Sequence, residues 1–183
     1  MTTQTSGTDG VTTSGAPLTG ERADLLDTLR KHRFFLTFPA RDLTDEQAAA
    51  TPTVSALCIG GLVKHVARTE ASWAAFMQGD ASALGGGDDE AGYTDHENSF
   101  RMLEGETLAG LLAEYARVAA ATDALVATID LDASTPLPPA PWFEPGARWT
   151  ARRVLLHVVA ETAQHAGHAD ILREAIDGAK SMG

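Results

Sequence analysis

Residues 150–178 read TARRVLLHVVAETAQHAGHADILREAIDG and carry the clearest structural signal in the chain. Thr150 is a favourable N-cap, and Gly178 is the residue type that most often ends a helix. Between them, apolar residues recur at spacings of three and four, which is the period of one helical face. We therefore predict a long helix from about Thr150 to Asp177.

Three earlier segments show the same period, and a short helix is expected where Thr44 and Gln47 have the spacing of a capping box. No segment alternates as a β-strand does. Two long connections separate the later helices, and the acidic run from Asp88 to Glu97 in the first of them is expected to be a solvated loop. These features predict an all-α protein, an antiparallel four-helix bundle with long crossover loops. The three further long helices are predicted at residues 19–38, 55–78 and 107–129, and the connections at 80–106 and 130–148.

Length and composition limit the class of protein. The 183 residues suit one domain, and residues 1–18, rich in Thr, Ser and Gly, are predicted to be a disordered leader to a single domain at 19–183. The formal net charge of -11 disfavours nucleic acid and anionic membranes as partners. With no secretion signal and no spanning segment, we expect a cytoplasmic protein. A homodimer is expected because two-fold pairing is the commonest soluble assembly.

The inward stripe of the last helix is polar in its middle. A bundle seam should be apolar throughout, yet here Glu161, His165 and His168 replace apolar residues. A buried carboxylate is costly unless it is paired or coordinates a metal, so something must compensate Glu161. In order, the stripe is Val154, Val158, Glu161, His165, His168 and Leu172.

The second long helix offers a partner, because His65 falls on its inward stripe. Glu161 and His165 are four residues apart, hence about 6 Å along the helix axis, and both can reach one ion. Two nitrogens and one oxygen suit a divalent transition metal such as Zn²⁺. A hydrogen-bonded polar network without an ion explains the same pattern, and spacing also allows the pairs His157–Glu161 and His165–His168. The stripe of the second helix is Cys58, Leu62, His65, Thr69, Ser72 and Phe76.

The remaining candidates are assigned lesser roles. His157 lies one residue off the seam and is expected to support the site or pack at its rim. His168 is a candidate for a residue that positions a ligand, or for a proton carrier. His32 and His96 are expected at the surface or in loops, and Cys58, the single cysteine, is expected to be a packing residue.

Two blocks, LVKHVARTEASW (residues 62–73) and HVVAETAQHAGHADILREAIDG (residues 157–178), resemble the DinB-like metalloenzyme superfamily. The similarity is greatest to its actinobacterial branch related to mycothiol-dependent maleylpyruvate isomerase. The resemblance implies a four-helix bundle with a crossed connection and a divalent metal between the helices. It implies as ligands His65, Glu161 and His165, in agreement with the seam.

The resemblance implies one set of site residues but several possible activities. Members of the DinB-like superfamily include small-thiol S-transferases, thiol-dependent isomerases and metal-dependent hydrolases. We expect a divalent-metal-dependent transferase, with zinc or another ion such as nickel, that activates a low-molecular-weight thiol resembling mycothiol for transfer to a small-molecule electrophile. The alternatives are a metal-dependent hydrolase and a non-catalytic metal-binding module of a stress response.

Overall fold

The computed structural model describes residues 18–85 and 90–181, so most of the predicted leader lies outside the described residues. Four long helices form a bundle, as predicted, and two shorter helices and a small hairpin occupy its connections. The helices are α1 (Glu21–Thr37), α2 (Asp45–Ala49), α3 (Ile59–Met77), α4 (Glu90–Ser99), α5 (Leu108–Thr128) and α6 (Ala151–Asp177); the strands are β1 (Ser134–Pro136) and β2 (Arg148–Thr150).

Capping residues set the ends of several helices. Thr107 and Thr150 accept hydrogen bonds from the backbone of the first turns of α5 and α6, as the sequence predicts. Gly178 ends α6 with a left-handed φ of 78°, which favours glycine. The second long helix starts later than predicted, because Cys58 is its N-cap and its sulfur accepts the N–H of Gly61.

The long helices form two parallel pairs that run in opposite directions. Arg152 at the start of α6 pairs with Glu21 at the start of α1, while Arg173 near the end of α6 donates to the Pro39 carbonyl just after α1. In the same way, α3 and α5 start together, where Lys64 pairs with Glu106. A parallel pair needs a long connection between its members, and the chain from α3 to α5 is this crossover.

Two expectations about the connections are wrong. The acidic segment was expected to be a loop, but its described part forms helix α4, which packs against α3. The chain between α5 and α6 was expected to lack strands, but β1 and β2 pair in antiparallel register, with Thr135 opposite Trp149. Each strand has only three residues, too few to show an alternating pattern.

The core consists of two apolar clusters separated by a polar layer. One cluster gathers Leu36, Leu62 and Leu172 near one end of the bundle, and the other gathers Leu29, Phe76 and Val154 near the opposite end. Between them, along each long helix, lie polar side chains that include Arg33, Glu70, Thr122, Thr162 and His165, and His65 of α3 adjoins this layer through its contact with His165. Across the described part of the chain, no helix combines the length and the apolar character that a membrane crossing needs.

Candidate metal centre

Three side chains from the antiparallel helices α3 and α6 meet in the polar layer. His65 comes from α3, and Glu161 and His165 come from successive turns of α6. Each offers one ligand-capable atom, and these three atoms lie within 4.8 Å of one another. Within the described ranges, this is the one group of three or more His, Cys, Asp or Glu side chains that converges in this way. These are the three residues that the resemblance implies and with which the seam agrees.

The α6 backbone sets the spacing of two members of this group. Glu161 and His165 are one turn apart on the same face, and Glu161 Oε2 lies 3.7 Å from His165 Nε2. The imidazole rings of His65 and His165 meet edge to face with centroids 5.0 Å apart. His165 is buried and the other two are half-buried, so the group is open on one side.

The tautomer of His65 follows from its hydrogen-bond partner. Ser99, at the end of α4, donates its hydroxyl proton to the carbonyl oxygen of His96 at 2.6 Å. The Ser99 oxygen therefore accepts from Nδ1–H of His65, which lies 2.9 Å away. Nε2 then keeps its lone pair for a ligand, which is the arrangement that metal-binding histidines usually have.

Burial keeps both histidines of the group neutral. It lowers the pKa of His65 to about 4, with further contributions from the nearby His165, His96 and Arg68. Burial also lowers the pKa of His165, against the opposing charge of Glu161. Because a metal binds the unprotonated imidazole, both side chains are in the ligand-competent form at neutral pH.

This donor set fits a divalent transition metal. Two neutral imidazoles and one carboxylate form a common three-residue set for Zn²⁺, and such sets leave a coordination position for a small molecule. The observed separation between Glu161 and His165 is longer than a hydrogen bond.

The secondary histidines lie around this group. His157 Nε2 is 3.8 Å from Glu161 Oε1, and its ring packs against Trp73 and Trp149. His168 Nδ1 lies 3.4 Å from His165 Nδ1, where it can orient that ring. His96 is exposed, as expected, but it belongs to α4 and its ring centroid is 6.0 Å from that of His65.

Sequence reasoning missed two residues that hold His65. Ser99 accepts its Nδ1–H, and the ring of Phe100 stacks on its imidazole with centroids 3.8 Å apart and planes 21° apart. Both belong to the crossover between α3 and α5. Neither belongs to a motif, and only the path of this connection brings them to α3.

Comparison with known proteins places the chain in a family. A family model described as Mycothiol-S-transferase matches residues 24–178. The chain therefore belongs to the mycothiol S-transferase family, a DinB-like family, in agreement with the resemblance.

A solved structure supports the fold. The crystal structure titled "conserved protein of locus from Enterococcus faecalis" superposes with a TM-score of 0.66 and 16% sequence identity, covering 88% of this chain and 100% of that one. At this identity the likeness shows the fold alone. The search of curated protein sequences found no match.

Proposed function

We propose that the protein is a divalent-metal-dependent transferase that joins a small, mycothiol-like thiol to an electrophile. The observation that carries this proposal is the convergence of His65, Glu161 and His165 at the open side of the polar layer. Membership of the mycothiol S-transferase family supports the choice of thiol. We further propose zinc as the ion, because imidazole and carboxylate together suit it.

The chain's own residues contribute binding and orientation. A divalent ion held by these ligands would supply the positive charge that stabilises a thiolate at neutral pH. Ser99 and Phe100 fix the ring of His65, and His168 orients His165. Overall, the thiol loses its proton to solvent, its sulfur bonds to the electrophilic carbon, and the leaving group departs with the electron pair of the broken bond.

The first test is the metal content of the purified protein. We expect about one zinc or similar ion per chain in the wild type, and loss of this ion in His65→Ala and in Glu161→Ala. His32→Ala is the matched control, since it removes a histidine of α1 that lies outside the group. Metal-free wild-type protein after reconstitution with zinc would contradict the proposed site.

The second test separates transfer from the other activities. Consumption of mycothiol and an aromatic electrophile is followed with and without a chelator, and we expect the chelator to stop it. Undiminished transfer would contradict the role of the metal. Turnover of the electrophile to a hydrolysed product without any thiol would indicate a hydrolase, and metal binding without turnover would indicate a binding module.

A further inference from the structure

Aromatic side chains form a wall next to Glu161 that the proposed chemistry does not use. The rings of Trp73 and Trp149 stack with centroids 5.0 Å apart and planes 11° apart. His157 packs edge to face against both of them, at 4.8 Å and 5.2 Å, and links this wall to Glu161. Phe143 closes it on the far side, with its ring centroid 5.7 Å from that of Trp149.

Arg153 lies at the end of this wall. Its guanidinium carbon is 4.2 Å from the centroid of the Trp149 ring, on which it rests through a cation–π contact. Its side chain is exposed, and within residues 18–85 and 90–181 it forms no ion pair and no side-chain hydrogen bond. The guanidinium of Arg153 is thus held by an aromatic ring and has no acidic partner among the described residues, although the chain has 25 acidic and 14 basic residues.

The neighbouring arginines bind acceptors within the protein, as expected of arginines with a structural role. Arg152 pairs with Glu21 and Asp132, and Arg148 donates to the carbonyl oxygen of Ser134. Arg153 instead keeps its five N–H donors available. Its charge also lies in the first turn of α6, where a cation is unfavourable for the helix dipole. Helix stability therefore does not explain the arginine.

Arg153, His157, Glu161 and His165 follow one another at intervals of four residues on α6. They form one stripe, and the backbones of Arg153 and Glu161 are about 12 Å apart along the helix. Arg153 is exposed and His157 and Glu161 are half-buried, so the guanidinium, the edge of the aromatic wall and the candidate metal centre lie along one accessible stripe.

We infer that Arg153 is the anion-binding residue of the substrate site, and that the electrophile is an organic carboxylate with an apolar, aromatic-sized body. This inference rests on the proposed function. The body packs along the aromatic wall, and the carboxylate accepts two parallel N–H bonds from the guanidinium, whose planar fork matches it. Arg153 thus selects the substrate and takes no part in the bond changes.

Binding of an unreactive probe tests this inference without turnover. Calorimetry compares biphenyl-4-carboxylate with the neutral biphenyl-4-carboxamide on the wild type, on Arg153→Gln and on Lys31→Gln. Lys31→Gln is the matched control because it removes another exposed cation that has no ion-pair partner among the described residues. Arg153→Lys is the second variant, which keeps the charge and loses the fork.

We expect the wild type to bind the carboxylate about tenfold more tightly than the amide. Arg153→Gln should lose this preference, Arg153→Lys should keep part of it, and Lys31→Gln should keep all of it. Equal binding of the two probes to the wild type would overturn the inference. So would a preference that persists in Arg153→Gln, since the carboxylate would then bind elsewhere, for example at the metal.

The outcome is independent of whether transfer occurs. Lack of thiol transfer with an intact, Arg153-dependent preference would reject the proposed function and retain the anion site. Thiol transfer without any preference for the carboxylate would retain the proposed function and reject the anion site.

Discussion

Ser99 of α4 connects the crossover to the candidate metal centre. Its oxygen accepts the Nδ1–H of His65, and its own hydroxyl is held by the carbonyl oxygen of His96. The serine is buried, so water does not replace it easily. One small hydroxyl thereby sets both the orientation and the tautomer of a candidate ligand on another helix.

Replacing this hydroxyl should weaken metal binding while leaving the fold intact. For Ser99→Ala we expect about a tenfold to hundredfold loss of zinc affinity, which is typical when a histidine ligand loses its hydrogen-bond partner. Competition with a chromogenic chelator measures the affinity. Ser82→Ala, an exposed serine in the turn after α3, is the control. Unchanged affinity in Ser99→Ala would show that Ser99 does not orient the ligand.

The residues of the candidate metal centre could be named from the sequence, and the residues that support them could not. A polar interruption of an apolar stripe is visible in a helix period, and it marks Glu161, His165 and His168; the family resemblance then selects Glu161 and His165. His65 then follows from a facing helix. Ser99 and Phe100 reach His65 only because the crossover folds back on α3, and no periodicity predicts that path.

At the scale of elements, helix ends could be predicted where a side chain caps them. Thr107, Thr150 and Gly178 are short-range signals: the two threonines begin helices and the glycine ends one, as predicted. Helix α4 was missed because its sequence is largely polar and lacks an apolar stripe. Helix α4 instead makes polar contacts with α3, such as the ion pair between Arg68 and Asp95.

The crossover approaches α3 closely at two glycines. A Cβ at Gly61 would lie 1.8 Å from the carbonyl oxygen of Phe100, which is backbone and cannot turn aside. A Cβ at Gly60 would meet mainly the flexible side chain of Met102, with the Ala48 carbonyl oxygen at 3.4 Å. Gly61 is therefore the position at which α3 accommodates the segment that carries Phe100 to His65.

Two glycine-to-alanine substitutions within helices should change the free energy of unfolding in opposite directions. Gly61→Ala should destabilise the protein by about 1–3 kcal/mol, because the backbone of the crossover must move. It should also weaken zinc binding, since the Phe100 ring packs on His65. Gly167→Ala on α6 meets nothing within 4 Å and should stabilise by up to about 1 kcal/mol. Urea denaturation compares both variants with the wild type, and a shift of the same sign in both would contradict this packing argument.

At the scale of the whole molecule, the polar layer joins three long helices through one buried ion pair. Arg33 of α1 donates to both oxygens of Glu70 on α3, and its remaining nitrogen lies 2.7 Å from Asp123 of α5. Glu70 is fully buried and Arg33 is 7% exposed. The Tyr115 hydroxyl lies in the same layer and finds no hydrogen-bond partner within the described ranges, and burial and the Glu70 carboxylate raise the pKa of Tyr115.

Removing one charge of this buried ion pair should lower the free energy of unfolding much more than removing one charge of an exposed pair. Glu70→Gln leaves the Arg33 guanidinium buried with only Asp123 as its anion, and we expect a loss of about 3 kcal/mol of unfolding free energy. The double variant Arg33→Met/Glu70→Met removes both charges and should recover most of that loss. The exposed pair of Glu114 and Arg117 on α5 provides the control, since Glu114→Gln should change stability by less than about 0.5 kcal/mol. Urea denaturation of the four proteins measures these differences, and a Glu70→Gln variant as stable as Glu114→Gln would mean that the buried pair does not hold the three helices together.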